Sequence, residues 1–276
     1  MIPLNKSTFG LGLACFILLA TFPIEQSREE VVDNVRDALL DMGVESTPGD
    51  VNIERRDDTE WLHAWKRHFK PLQIGEKFWI VPSWEDDASL PNGAVTITLD
   101  PGLAFGTGQH ATTALCLSAI EKHLTAVSSP CSMLDVGCGS GILSISAAHC
   151  GAAPILGIDV DPTAVDVARE NVEINEVRHA VSVSGDPVEA VEPQFNLVVA
   201  NILATILIPL AEPIAARVAP GGTLILSGIL TSQVEEVATA YTHAAEQLGF
   251  HPFVSQASMQ KEDWVALSLT RPAHPA

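Results

Sequence analysis

Three glycines at alternate positions, Gly137, Gly139 and Gly141, follow an apolar run and an acid, Asp135, and precede a predicted helix. Glycine adopts left-handed backbone conformations and lets a ligand approach the chain closely. The first amides of a helix have no partner inside the helix, so they favour a polar or anionic ligand group. The spacing predicts a ligand-binding loop, although a purely structural glycine turn explains this motif alone equally well.

Acidic residues beyond the loop narrow the choice of ligand. Asp159 ends the next predicted strand, where its carboxylate can accept hydrogen bonds from both hydroxyls of a ribose. Asp161 stands directly before Pro162 and is assigned to capping the following helix. Asp186 follows the third predicted strand, where it either reaches an adenine amine or serves as a turn acid. The loop and Asp159 together predict a nucleoside-containing ligand.

A nicotinamide dinucleotide is the rival ligand for such a loop. The dinucleotide fingerprint requires glycine or alanine three residues after Gly139, and Ile142 occupies that position. The sequence therefore disfavours a nicotinamide-dependent oxidoreductase.

Two further segments supply polar groups near the same predicted edge. Asn201 follows the fourth predicted strand, where its carboxamide can accept from an incoming amine and donate to a bound cofactor; a helix N-cap is the competing interpretation. Residues 100–113 contain three glycines and a proline, which predict an irregular loop that leads into a helix beginning near Thr113. His110, in this loop, is given no catalytic role.

The elements that must position these residues alternate between strand and helix after residue 100. Strands are expected at residues 132–135, 155–159, 180–184, 197–200 and 223–227, and helices at 142–150, 163–175, 204–218 and 232–247. Residues 251–255 and 264–270 are expected to pair as an antiparallel hairpin. This order predicts an α/β, Rossmann-like doubly wound sheet with an antiparallel edge strand.

The front of the chain predicts a different organisation. A small α+β domain is expected over residues 1–57, with a helix at 27–42 and a strand at 51–54. The uncharged run at residues 7–24 is either a buried strand or a signal-like or marginal membrane segment, and the strand is favoured. Residues 58–98, which hold four of the five tryptophans, are expected to form an ordered linker before a large domain at 99–271.

Composition restricts the partners. The chain has 34 acidic and 15 basic residues and a net charge of −19, so its field repels nucleic acid and suits a basic protein. The five cysteines lack C-x-x-C spacing and histidines at metal-ligand intervals, so we expect reduced thiols, no metal site and a cytoplasmic location. No membrane partner is expected.

Several motifs together resemble those of one family. Residues 135–141 (Asp-Val-Gly-Cys-Gly-Ser-Gly), 101–108 (Pro-Gly-Leu-Ala-Phe-Gly-Thr-Gly) and 199–203 (Val-Ala-Asn-Ile-Leu) resemble the PrmA family, the methyltransferases of large-subunit ribosomal protein eleven. The tryptophan-rich connector and residues 227–230 (Ser-Gly-Ile-Leu) are similar too. The resemblance covers about residues 58–271, and the 101–113 loop is its most specific part.

The resemblance implies a class I methyltransferase fold and transfer of methyl groups from S-adenosyl-L-methionine to lysine side chains and the N-terminal amine of that ribosomal protein. By the family's pattern Thr113, Gly137, Asp159 and Asn201 contact the cofactor. We add Asp135, Gly139 and Gly141 from the loop itself, and we assign the catalytic role to Asn201.

The resemblance also limits the alternatives. The first domain resembles only the second half of the family's substrate-recruiting domain, so substrate docking is the weakest inference; a monomer is expected. Methylation of another protein or of a small-molecule amine remains the main alternative. A glutamine-modifying enzyme would carry Asn-Pro-Pro-aromatic at Asn201, which this sequence lacks, and the intact loop speaks against a non-enzymatic binding module.

Overall fold

The computed structural model of the chain describes residues 28–41, 70–85, 90–91, 93–100, 108, 110–127 and 130–273. The chain divides into two compact units, Met1–Ala64 and Trp65–Ala276. The predictions for residues 7–24 and 51–54 lie outside the described residues. In the first unit helix α1 (Arg28–Asp41) confirms the helix expected at 27–42.

A seven-stranded sheet organises the second unit and confirms the predicted fold class. Its strands are β4 (Met133–Val136), β5 (Ile155–Ile158), β6 (Val181–Ser184), β7 (Phe195–Asn201), β8 (Val218–Leu230), β9 (Val254–Lys261) and β10 (Trp264–Thr270), in the spatial order β6-β5-β4-β7-β8-β10-β9. Neighbours from β6 to β8 are parallel. Strand β10 runs antiparallel to both β8 and β9. The antiparallel strand is therefore the second from the edge, and β9 forms the edge itself.

Helices cover both faces of this sheet. They are α2 (Ala111–Ala126), α3 (Ile142–His149), α4 (Pro162–Ile174), α5 (Ala204–Leu207), α6 (Ala211–Ala216) and α7 (Val234–Gln247). Helix α4 begins as predicted, because Asp161 Oδ1 accepts from the Thr163 amide at 2.9 Å and Pro162 takes the first helical position. No helix in the described part of the chain has the length and hydropathy needed to cross a membrane.

The core consists of two apolar layers, one on each face of the sheet. Successive residues of the central strands alternate between them: Met133 belongs to one layer and Leu134 to the other. Both faces of a parallel sheet are buried, which explains why β4 is an uninterrupted buried run. Because apolar side chains cover both faces of the sheet, polar groups are left to its carboxyl edge.

A second, small sheet lies in the stretch expected to be an ordered linker. Strands β1 (Leu72–Ile74), β2 (Phe78–Val81) and β3 (Val95–Thr98) pair in that order, β1 with β2 antiparallel and β2 with β3 parallel. Phe78 and Ile97 are fully buried in one core layer of the second unit. The division at residues 57 and 98 stays a prediction.

The predicted helix at residues 204–218 is wrong in its length. The structure has two short helices, α5 and α6, and strand β8 already begins at Val218. Pro213 has no amide hydrogen to donate to the carbonyl of Pro209, and its ring would clash there, so one continuous helix cannot run through both prolines. In α6 Pro213 falls in the first turn, where a missing N–H removes no intrahelical hydrogen bond.

The predicted hairpin at the end of the chain is confirmed, but its strand bounds differ. Strand β9 begins at Val254 and runs through the polar stretch expected to be a loop, and only Glu262 and Asp263 connect it to β10. Glu262 takes a left-handed φ of 57°, as tight hairpin turns require. Strand β9 lies at the sheet edge and is mostly exposed, so it lacks the apolar alternation used to locate strands.

Candidate active site

The predicted site residues come together where three parallel strands end. Val136 of β4 pairs with Ile158 of β5 on one side and with Ala200 of β7 on the other. The next residue on each strand is Gly137, Asp159 and Asn201 respectively. Since neighbouring strands lie about 4.8 Å apart, the backbones of Asp159 and Asn201 flank the glycine loop at a separation of roughly 10 Å. The carboxyl edge of such a sheet is where α/β folds bind ligands.

The glycine loop uses three left-handed backbone conformations. Gly137, Gly139 and Gly141 have φ of 72°, 55° and 79°, values that side-chain-bearing residues rarely adopt. A Cβ on Gly137 would also lie 2.5 Å from Ile202 Cγ2. The amides of Gly137 and Cys138 both donate to Ile158 O, at 2.9 and 3.0 Å. The loop is therefore fixed to the end of β5 and requires glycine at these positions.

The Asp159 carboxylate is held by backbone amides from two loops. Its Oδ2 accepts from Gly139 N at 2.9 Å, and its Oδ1 accepts from Asp161 N at 3.0 Å. A carboxylate offers about four acceptor positions, so this half-buried group keeps acceptor capacity for a ligand. Its orientation is set before any ligand arrives.

Asp135 is fully buried beneath the loop. Its Oδ2 accepts from Ser144 Oγ at 2.7 Å, while Oδ1 has no hydrogen-bond partner in the described part of the chain. Burial, chiefly, raises the pKa of Asp135 to about 6; hydrogen bonds from Ser144 oppose this rise and the charge of Asp159 adds to it. A cationic group bound nearby would stabilise the ionised form.

Two buried asparagines, Asn171 in α4 and Asn175 directly after its last residue, support the loop from behind. Asn171 Nδ2 donates to Ser140 O at 2.8 Å, and Asn175 Nδ2 donates to both Asn171 O and Thr98 O, at 2.8 Å each. Asn175 Oδ1 accepts from Thr98 N, also at 2.8 Å. The glycine loop is thereby connected to the end of β3.

Thr113 and Asn201 differ from these paired groups. Thr113 is fully buried in the first turn of α2, and Asn201 lies at the end of β7. Neither Thr113 Oγ1 nor Asn201 Oδ1 has a hydrogen-bond partner among the described residues, although both atoms are buried. Such groups are costly unless something pairs with them. Asn201 is not a helix N-cap, because Leu203 takes that position before α5.

Comparison with known proteins gives a consistent result. The family model described as "Ribosomal protein L11 methyltransferase (PrmA)" matches residues 13–272. Two relatives with the name ribosomal protein L11 methyltransferase, from Cupriavidus metallidurans and Citrifermentans bemidjiense, are 46% and 45% identical over 221 and 228 residues. These alignments cover 80% and 79% of this chain, and 67% and 73% of the relatives. The chain belongs to this family.

A solved structure agrees with that membership. The crystal structure of the ribosomal protein L11 methylase from Lactobacillus delbrueckii subsp. bulgaricus has a TM-score of 0.66 and 32% identity, and the match covers 74% of this chain and all of that one. As a member of the L11 methyltransferase family, the chain is an S-adenosylmethionine-dependent methyltransferase with a Rossmann-like fold.

The residues at the sheet edge fit this cofactor. The unpartnered oxygens of Thr113, Asp135 and Asn201 can pair with its polar and cationic groups, and the Asp159 carboxylate retains acceptor positions for ribose hydroxyls. Gly137 lets the loop pack closely against Ile202, where a side chain would collide. The contact of each residue with the cofactor stays a prediction. Within the described residues, no group of three His, Cys, Asp or Glu side chains could hold a metal ion.

Two other residues considered from the sequence have structural roles here. His110 caps α2, with Nδ1 2.8 Å from Thr112 Oγ1, and packs edge-on against Trp264 at 5.1 Å between ring centroids. Asp186 pairs through its carboxylate with Ser184 Oγ and through its amide with the same oxygen, which is the turn interpretation.

Sequence reasoning missed several residues that support the site: Ser144, Asn171, Asn175 and Ser227. Asn171 in α4 and Asn175 directly after it stand four apart, and such a polar pair at helical spacing was a usable signal. Ser227 stood out only as part of the motif at residues 227–230, and the roles of Ser144 and Ser227 depend on partners outside their own local motifs.

Proposed function

We propose that the protein methylates ribosomal protein L11 on lysine side-chain and N-terminal amines, with S-adenosyl-L-methionine as methyl donor. The observation that carries this proposal is the pair of buried, unpartnered oxygens of Thr113 and Asn201 beside the glycine loop. Oxygens that can accept hydrogen bonds and have no partner at the sheet edge suit both the cofactor's polar end and an incoming amine. Membership in the L11 methyltransferase family supplies the substrate.

The chain's own groups bind, align and desolvate the reactants. When bound, S-adenosyl-L-methionine supplies a methyl group already activated by its sulfonium charge. The glycine loop and Asp159 hold the nucleoside part, and Asp135 contributes negative charge beneath it. Asn201 Oδ1 accepts a hydrogen bond from the amine and so directs the nitrogen lone pair towards the methyl carbon. Alignment of this kind is the main contribution an enzyme makes to an in-line transfer.

The acceptor amine must be neutral when it reacts. A lysine ammonium has a reference pKa of about 10.4. Burial beside the cationic sulfonium lowers that pKa, because both desolvation and like charge disfavour the ammonium. We infer that water takes the proton, since Asn201 is neither acid nor base. Turnover should therefore rise with pH over the range in which the bound amine loses its proton.

The charge of the chain supports a basic protein substrate. The net charge of −19 attracts a cationic protein and repels nucleic acid, so we propose that the protein recognises L11 without direct nucleic-acid contact. We further propose that it acts in the cytoplasm as a monomer.

Incubation of the purified chain with radiolabelled S-adenosyl-L-methionine and a ribosomal-protein mixture tests the assignment. We expect one labelled band that mass spectrometry identifies as L11, with added methyl groups at amines. The Asn201→Ala variant is the control and should label that band at least about 100-fold more slowly. Label on a different protein would replace L11 as the substrate, and no label despite tight cofactor binding would contradict protein methylation.

Calorimetry separates this function from the dinucleotide alternative. S-adenosylhomocysteine should bind and NADH should not, because Ile142 occupies the position where a dinucleotide loop needs glycine or alanine. Binding of NADH alone would contradict the proposed function.

A further inference from the structure

Gly228 on β8 approaches the backbone that follows Asn201. It has a left-handed φ of 82°, and a Cβ there would lie 2.3 Å from Ile202 O and 2.7 Å from Ile202 C. These are backbone atoms, so a side-chain rotation cannot relieve the clash. Any residue other than glycine at position 228 therefore requires a relative shift between β8 and the Ile202 peptide, which adjoins Asn201.

The opposite side of Ile202 is also bounded by a glycine. A Cβ on Gly137, in the cofactor loop, would lie 2.5 Å from Ile202 Cγ2. Gly137 follows β4 and Gly228 belongs to β8, the two strands that flank β7. The segment that carries Asn201 is thus confined by both of its neighbouring strands, on one side through the Ile202 side chain and on the other through its backbone.

Ser227, the residue before Gly228, connects β8 to the segment that carries Thr113. Ser227 is fully buried, and its Oγ lies 3.4 Å from Thr112 O and 3.3 Å from Val265 O. A hydroxyl has one hydrogen, so it can donate to only one of these carbonyls at a time, and both distances are long for an O–H···O bond. The Thr112 carbonyl belongs to the peptide that leads into Thr113. Two consecutive residues of one strand therefore contact the backbones next to both unpartnered oxygens.

We propose that Ser227 and Gly228 are positioning residues that set the placement of Thr113 relative to Asn201. This inference rests on the proposed roles of those two residues in binding the cofactor and the amine. Neither Ser227 nor Gly228 needs to contact a reactant. A misplacement of about 1 Å at a reacting group is sufficient to reduce turnover roughly 100-fold, so a small shift of the Ile202 peptide would have a large effect.

Gly228→Ala tests the proposal against two matched glycines. Gly249→Ala controls for backbone strain, because Gly249 has φ of 70° and no described atom within 4 Å of a Cβ. Gly222→Ala controls for a backbone clash on the same strand, since its Cβ would lie 2.8 Å from Ala219 O. We expect kcat to fall roughly 100-fold in Gly228→Ala and to stay within about threefold of the wild type in both controls.

Measurements on the cofactor-free protein make the test independent of turnover. In Gly228→Ala the backbone amide resonances of Asn201 and Ile202 should shift, and affinity for S-adenosylhomocysteine should fall less than kcat does. A folded Gly228→Ala variant with these resonances and kcat unchanged would overturn the inference. A Gly228→Ala variant that loses no more activity than the two control variants would overturn the inference too.

Ser227→Ala keeps the test decisive if Gly228→Ala does not fold. It should lower the affinity for S-adenosylhomocysteine at least about threefold, because the Thr113 segment loses its tie to β8. Ser146→Ala, which removes a buried hydroxyl bonded within α3 at 2.6 Å, should not. Equal affinities in the two variants would contradict the inference. Full activity of an Asn201→Ala enzyme would instead contradict the role proposed for Asn201, whatever Gly228→Ala does.

Discussion

The two sides of the sheet edge differ in how their polar groups are satisfied. On the nucleoside side, formed by Gly137, Gly139 and Asp159, the backbone amides and the carboxylate already pair with the chain itself. On the transfer side, formed by Thr113 and Asn201, buried oxygens have no partner among the described residues. The first side is a prearranged scaffold, and the second reserves its hydrogen-bonding capacity for ligands.

This difference has an energetic consequence. A buried polar group without a partner costs about 1–3 kcal/mol, whereas a satisfied one contributes about 1 kcal/mol to stability. Removal of a group from the nucleoside side should therefore destabilise the folded chain. Removal of a group from the transfer side should reduce function and leave stability unchanged or higher.

The largest expected effect is that of Asn201→Ala compared with Asn196→Ala on the same strand. Loss of the Asn201 carboxamide should reduce kcat by about 100-fold or more, by analogy with removal of a single transition-state partner, without lowering the melting temperature of the free protein. Asn196 Oδ1 accepts from Ser132 N and Oγ at 3.1 and 2.9 Å, so its loss should lower stability and spare kcat. Steady-state kinetics and thermal melts measure both. Equal stability losses would contradict the distinction.

Asp135 should give a pH dependence of stability. Burial raises its folded-state pKa from the ordinary value of 3.8 to about 6, so the folded chain binds this proton more tightly than the unfolded chain. The resulting stabilisation is complete below the ordinary pKa and is lost as pH rises through about 6.

Comparison with Asp135→Asn isolates this group from all other titrations. Relative to the wild type, the variant should gain on the order of 2 kcal/mol of unfolding free energy between about pH 4 and about pH 7. Denaturant melts at several pH values provide the measurement. A constant difference between the two proteins would show that Asp135 ionises normally.

Ser144→Ala should lower stability through the paired oxygen of Asp135. The variant leaves Oδ2 without its hydroxyl donor, so unfolding free energy should fall by about 1–3 kcal/mol. Ser146→Ala is the control, because its hydroxyl donates only to a backbone carbonyl inside α3, and it should cost about 1 kcal/mol or less. Urea melts at neutral pH compare the two, and equal losses would argue against a special role for Ser144.

The smallest effect is expected from two adjacent threonines. Thr113→Val removes an unpartnered hydroxyl and should leave stability unchanged or raise it by up to about 1 kcal/mol, while affinity for S-adenosylhomocysteine falls. Thr112→Val removes a hydroxyl 2.8 Å from His110 Nδ1 and should lower stability by about 1 kcal/mol. If Thr113→Val is destabilised and keeps its normal affinity for S-adenosylhomocysteine, Thr113 behaves like the nucleoside side rather than the transfer side.

Local sequence patterns predicted the fold and the nucleoside side better than the transfer side. The glycine spacing, the Asp161-Pro162 cap and the strand–helix alternation depend on neighbouring residues, and the structure contains all three. The helix at 204–218 was wrong because an apolar run outweighed Pro209 and Pro213. The roles of Ser227 and Gly228 depend on Thr112 and Ile202, which are distant in sequence, so no local pattern could reveal them.

A crystal structure of the chain with S-adenosylhomocysteine would show whether the ligand pairs with the oxygens of the transfer side. We expect Thr113 Oγ1 and Asn201 Oδ1 each to gain a polar neighbour within about 3.5 Å from the ligand or from water bound with it, while the bonds of Asp159 to Gly139 and Asp161 stay as they are. A ligand bound elsewhere, or bound at this edge with both oxygens still unpartnered, would contradict it.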